Sequence, residues 1–223
     1  MKRNDVIKFL ILRTIGNFLV LFALFGVGAT FGPTLYYEVQ FRWQQAKGVT
    51  YKVVDQQSGS SFGDLLSNSK EQLLIPKDTF FDVLIPKIGA NARVFPNVDP
   101  ANETEYVATL KKGVAHAKGS VFPGMNGSVY LFAHSTDSVW DVGRYNAIFY
   151  LLKDLGKGDD VVMFFQDKRY NYKVVDTKIV EGNDVSYLTN AQSLNKQQLV
   201  LQTCWPPGTT WKRLLVFAEP HSQ

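Results

Sequence analysis

The sequence predicts a mainly β domain, a barrel or sandwich of about 140 residues with few helices, preceded by one membrane-spanning helix. Three observations predict it. From Phe80 onward the chain is a series of short apolar runs cut by Gly and Pro. Aromatic residues make up 13% of the 223 residues, and with Val and Thr they favour strands. Near the N-terminus lies one long stretch without a charge.

The apolar runs are FDVLIPKIG (81–89), NARVF (91–95), SVYLFAH (128–134), DVVMFF (160–165), RYNYKVVDTKIV (169–180), QQLVLQTC (197–204) and RLLVFAE (213–219). Each has the length and composition of a strand. Pro96, Gly113, Pro123-Gly124, Gly156-Lys157-Gly158 and Pro206-Pro207-Gly208 punctuate them as turns. Two short helices fit between the strands, over Glu103–Leu110 and over Asn146–Leu155. In the second, Ile148, Leu151, Leu152 and Leu155 recur at helical spacing. Glu103 and Glu105 stand near the start of the first and are expected to be solvated.

The uncharged stretch runs from Ile15 to Phe31 and on to Tyr37, with Asn17 as its one amide. That is enough for a membrane-spanning helix, which needs about 20 apolar residues. Lys2, Arg3, Lys8 and Arg13 precede it and predict a cytoplasmic N-terminus, while Tyr36 and Tyr37 suit the far interface. A cleavable signal peptide ending near Val27-Gly28-Ala29 is the competing reading, but the run is long and has no clean A-x-A site. Either way the rest of the chain is exported. The predicted organisation is a basic stub and anchor (1–37), a juxtamembrane tether (38–79) and a β domain (80–220). Gln56 to Ser61 in the tether has flexible-linker composition.

The net charge of +4 is concentrated in that N-terminal stub, so it calls for no nucleic-acid partner. A single cysteine, Cys204, excludes an internal disulfide. A lone thiol is ordinarily a small buried hydrophobe, so its neighbours decide. Cys204 ends an apolar strand, a Pro- and Gly-rich loop follows, and Arg213 opens the next strand. Read as a hairpin, this puts thiol and guanidinium at the same end of adjacent strands. Arg213 is a permanent cation with planar donors, suited to a substrate carbonyl or a developing oxyanion. His134 also ends a strand, and an imidazole near a thiol can take and return its proton. Thr203 and Trp205, which flank Cys204, are candidate substrate contacts. His116 is the rival base, set before a turn-rich segment. Asp137 is a candidate to orient the His134 ring, with an exposed loop position as its ordinary account. His221, three residues from the C-terminus, is expected to be disordered.

These residues sit in a pattern that resembles the sortase family. Ile85-Pro86-Lys87-Ile88-Gly89 is similar to its first-strand motif, and Gly113 to Gly124 followed by Gly127 to His134 to the segment leading to its histidine. Val200-Leu201-Gln202-Thr203-Cys204 matches the T-L-x-T-C pattern at every fixed position but the first. Arg213-Leu214-Leu215-Val216 matches R-L-x-V. The resemblance implies a closed eight-stranded β-barrel held at the outer face of a Gram-positive-type membrane. It implies that Cys204 attacks the Thr–Gly carbonyl of an LPxTG-like sorting signal on a surface protein, with His134 and Arg213 assisting. A thioester would then pass to an amine from a cell-wall precursor or a pilin lysine. No acidic cluster stands out as the calcium site of some members, so neither metal nor cofactor is expected. Two other functions fit less well. An L,D-transpeptidase would place its cysteine in a Gly-Cys-(Ile/Val)-Arg context, and a non-catalytic exported barrel would leave Cys204 buried.

Overall fold

The computed structural model describes residues 3–54, 71–135, 148–207 and 209–221. The chain divides into two compact units, Met1–Trp43 and Gln44–Gln223.

Most of the first unit is a helix, α1 (Arg3–Ala46), which begins before the uncharged run and continues past it into the second unit. Its segment Asn4–Ala29 is 26 residues long, and none of its residues is buried. At 1.5 Å per residue that is about 39 Å, enough to cross a hydrocarbon core of about 30 Å. Arg42 pairs with Glu38 one helical turn back.

The second unit is a closed barrel. Its eight strands among the described residues are β3 (Phe81–Ile85), β4 (Ala90–Val98), β5 (Val114–Ala117), β6 (Gly127–Phe132), β7 (Asp160–Phe165), β8 (Lys168–Glu181), β9 (Gln197–Trp205) and β10 (Lys212–Pro220). The order around the barrel is β10-β8-β7-β3-β4-β5-β6-β9. Closure leaves no unpaired edge. Seven of these strands were legible as apolar runs. The eighth, β5, shows in the sequence only as a segment before a turn. Its four residues, two of them alanine, are too few and too weakly apolar to stand out as a run.

Two further strands, β1 (Thr50–Val53) and β2 (Glu71–Leu74), pair in parallel within the stretch expected to be tether. They are not a free linker. Val53 and Leu74 are buried against Leu84 of β3 and Val162 and Phe164 of β7, with Tyr51 packed alongside. This explains why every residue of β3 is buried: its outer face is covered. Behind β2, Asp82 accepts hydrogen bonds from the backbone N–H groups of Lys77 (2.6 Å) and Val83 (3.1 Å). Burial still pushes its carboxyl up to about 6. The linker-like Gln56–Ser61 lies outside the described residues.

The first expected helix is present as α2 (Glu103–Leu110). Asn102 caps it, accepting from the Glu105 N–H (3.3 Å), and Glu105 is engaged in return by the Asn102 amide (3.3 Å). Glu103 and Glu105 are exposed. The second expected helix is a short 3₁₀ turn, Tyr150–Asp154, and Asn146 lies outside the described residues. A one-turn helix, α3 (Ser186–Thr189), lies in the β8–β9 connection.

Candidate active site

Strand register decides where the candidate residues meet. In the antiparallel β9–β10 pair, Cys204 is opposite Arg213 and Gln202 is opposite Leu215. In the parallel β6–β9 pair, Phe132 is level with Gln202. The pairing continues one step past β6, where the Ala133 N–H donates to the Gln202 carbonyl (3.2 Å). With the same register continued one residue further, His134 comes level with Cys204. Neighbouring strands are about 4.8 Å apart, and residues two apart share a face. His134, Cys204 and Arg213 therefore form a row across three adjacent strands, on one face of the sheet.

That row borders a cavity of about 270 Å³. Tyr130, Phe132 and Gln202 continue its floor, α2 contributes Tyr106 and Leu110, and the β8–β9 connection contributes Val185 and Leu188. Short-range patterns marked none of these residues as functional. The signal available was parity: Gln202 stands two before Cys204 on the same strand face.

Cys204 is partly buried. Burial raises its thiol above the ordinary value, while the positive charge of Arg213 pulls in the opposite direction. At neutral pH the sulfur is thus mainly protonated, and attack requires a proton acceptor. Arg213 is held by its own loop: Nη1 donates to the carbonyls of Thr210 (2.9 Å) and Lys212 (3.0 Å). Gly182 fits beneath that loop. A Cβ there would lie 2.7 Å from the Trp211 carbonyl oxygen and 2.9 Å from that of Thr210. His134 is half-buried at the cavity wall.

The flanking candidates divide. Thr203 is buried, and its hydroxyl donates to the Ala133 carbonyl (3.1 Å), fastening β9 to the end of β6 beside His134. Trp205 is level with Lys212 and projects to the side opposite Cys204. Asp137 lies outside the described residues. His221 is exposed, but its backbone is ordered: its N–H donates to the Asn171 carbonyl (2.9 Å), away from the cavity.

His116, the rival base, is on β5 and fully buried. Its Nδ1 accepts from the Asn97 N–H (3.3 Å), so Nε2 carries the proton, within reach of the Val121 carbonyl (3.1 Å) and Ser120 Oγ (2.9 Å). Its ring stacks on Phe122 at 4.6 Å. Burial lowers its proton affinity, and it does not reach the cavity. Among the described residues no group of three or more His, Cys, Asp or Glu side chains is placed to hold a metal ion.

Comparison with known proteins gives the same architecture a family. The sortase domain matches residues 83–221, well over half of the chain. The chain belongs to the sortase family. Sortase D of Bacillus subtilis (strain 168) is 30% identical over 138 residues, a match covering 60% of this chain and 60% of that protein's length. The chain thus spans less than two thirds of that relative. An X-ray structure of Clostridium perfringens sortase C with the C-terminal cell wall sorting motif is 28% identical. It superimposes with a TM-score of 0.52 over 64% of this chain and 70% of that one. The Clostridium perfringens sortase D5 transpeptidase, at 19% identity and a TM-score of 0.52, shares the fold over 65% of this sortase and 80% of its own chain. The matched segment of this sortase begins within β3 and ends one residue beyond β10, so it takes in the whole His134–Cys204–Arg213 row.

Proposed function

We propose that this sortase is a cysteine transpeptidase that cleaves an LPxTG-like sorting signal between Thr and Gly and transfers the acyl part to an amine. The observation that carries the reading is the row of thiol, imidazole and guanidinium along one cavity. In this reading the Cys204 thiol loses its proton to His134 as sulfur attacks the threonyl carbonyl. Arg213 stabilises the oxyanion. The tetrahedral intermediate collapses, the C–N bond breaks, and His134 gives its proton to the departing amine. A thioester on Cys204 remains. The incoming amine, from a cell-wall precursor or a pilin lysine, then loses a proton to His134 as it displaces the Cys204 sulfur, and His134 returns that proton to the departing thiolate. The α1 helix anchors the enzyme in the membrane with its basic N-terminal end in the cytoplasm, which delivers the barrel to the side where surface proteins emerge.

The test uses the full chain in detergent micelles, a library of LPxTG-like peptides and a small amine, followed by mass spectrometry. The expected result is an acyl adduct on Cys204 and an amide product joined at threonine. Turnover without a Cys204 adduct, or no adduct with any peptide, would overturn the reading.

A further inference from the structure

Behind the chemistry lies a polar pair that the acyl-transfer steps do not use, Gln202 of the second row and Tyr130 of β6. Level with one another on the cavity face are Phe132, Gln202 and Leu215, one strand repeat behind His134, Cys204 and Arg213. Phe132 and Leu215 are buried and apolar, while Gln202 is half-buried and lines the cavity. Its side-chain carbonyl is already occupied: the Tyr130 hydroxyl donates to Oε1 at 2.6 Å. Tyr130 is itself buried, and burial favours its protonated phenol, the form that donates. The bond fixes which end of the Gln202 amide is free. Nε2, carrying two N–H donors, has no protein partner among the described residues. An amide clamped by its oxygen presents only donors to whatever fills the cavity.

Resting on the transpeptidase reading above, we infer that Gln202 is a substrate-positioning residue whose amide N–H groups, oriented by Tyr130, bind a backbone carbonyl of the acyl-donor peptide upstream of the scissile bond. The spacing suits this role. Gln202 is about 7 Å along the strand from Cys204, about one dipeptide of extended chain from the carbonyl that sulfur attacks. The apolar walls from α2 and the β8–β9 connection enclose the peptide side chains. A peptide backbone entering such a cavity brings carbonyls that need donors, and an unmatched one is costly to bury. Gln202 contacts substrate away from the reacting atoms, so its contribution falls on binding more than on the chemical step.

The test compares wild type with Gln202→Met, Gln202→Glu, Tyr130→Phe and the Gln202→Met/Tyr130→Phe double variant, as full chains in micelles. The readouts are kcat and KM for the best peptide acyl donor, alkylation of Cys204 by iodoacetamide, and the melting temperature. Gln202→Met removes donor and acceptor at nearly constant volume, and KM should rise about tenfold with kcat changed less than about threefold. Gln202→Glu keeps an acceptor for Tyr130 but faces the peptide carbonyl with a carboxylate, so its KM should rise further. Tyr130→Phe should raise KM about threefold and add little on top of Gln202→Met, because its effect runs through that side chain. Unchanged KM in Gln202→Met, or equal KM in Gln202→Met and Gln202→Glu, would overturn the inference. So would fully additive effects in the double variant. Failure of wild type to acylate Cys204 with any peptide would instead overturn the transpeptidase reading, which is a separate result.

Discussion

His116 sits on β5, which pairs with β6, and His134 lies two residues past the end of β6 itself. His116 has both ring nitrogens engaged and a phenyl ring stacked on its face. It also holds a strained place: Asn97, whose N–H it accepts, has φ +57°, where the β4–β5 register slips. Protonating Nδ1 would delete that acceptor. His134 stands half-buried on a cavity, level with a thiol. A proton carrier must change charge every cycle without tearing the scaffold, so a histidine whose two ring nitrogens both serve buried scaffold bonds is a poor catalyst.

Substitutions can break this contrast. The largest effect belongs to Cys204→Ala: acyl transfer should fall to background while thermal melting of the barrel is preserved, checked by product assay and circular dichroism. His134→Ala should cost about 10²–10⁴-fold in kcat, the usual worth of general acid–base help, with little change in melting. His116→Leu should do the reverse. It strands the Asn97 N–H and should destabilise the barrel by about 1–3 kcal/mol, with turnover per folded molecule within a few-fold of wild type. A folded, inactive His116→Leu protein would show that the two histidines have been assigned to the wrong jobs.

The arginine side of the row is sharpened by Gly182→Ala. The added methyl meets two carbonyl oxygens of the 210–211 loop, one of which orients Arg213. The loop must shift, and the guanidinium with it. Turnover should drop about tenfold with the chemical groups all present, a loss of the size that small misplacements produce. Retained activity with unchanged melting would mean that Thr210 does not set the position of Arg213.

How far the sequence alone reaches is clear from individual residues. Cys204 and Arg213 could be matched because a hairpin joins their strands, and hairpin register is local. That His134 comes level with Cys204 depends on a parallel β6–β9 pairing between segments separated by about seventy residues, which no short-range pattern encodes. Gln202 and Tyr130 belong to the same non-local pairing. Strand β5 escapes a sequence reading because four residues, two of them alanine, make no distinct apolar run. The β1–β2 pair was missed because four-residue strands carry almost no pattern of their own.

A smaller effect separates the histidines by pH. Burial lowers the His116 proton affinity in the folded state. The unfolded chain therefore takes up a proton at this site first, starting near its ordinary value of about 6.5. The stability that the neutral ring contributes is complete above that value and is lost as pH falls below it. Asp82, with its carboxyl raised to about 6, contributes with the opposite sign over the neighbouring acid range. The difference between wild-type and His116→Leu stability curves cancels the Asp82 part. That difference should shrink as pH falls from about 7 to 5. A constant difference would mean that the ring is not held neutral.

The smallest effect is expected one residue from one of the largest. Lys212 and Arg213 are adjacent on β10, so they project to opposite faces of the sheet. Arg213 turns toward Cys204 and the cavity, whereas Lys212 is exposed and reaches Glu181 at 3.2 Å across the β8–β10 pair. An exposed pair of that kind is worth about 0–1 kcal/mol. Lys212→Ala should therefore leave kcat and KM within about twofold of wild type, while Arg213→Ala should lose at least a hundredfold, as removal of a donor to a developing oxyanion does. Both changes delete one positive charge at nearly the same place, so long-range electrostatics alone would make them equal. Unequal losses isolate what the guanidinium does by pointing into the cavity, and equal losses would mean that only net charge near the sulfur matters.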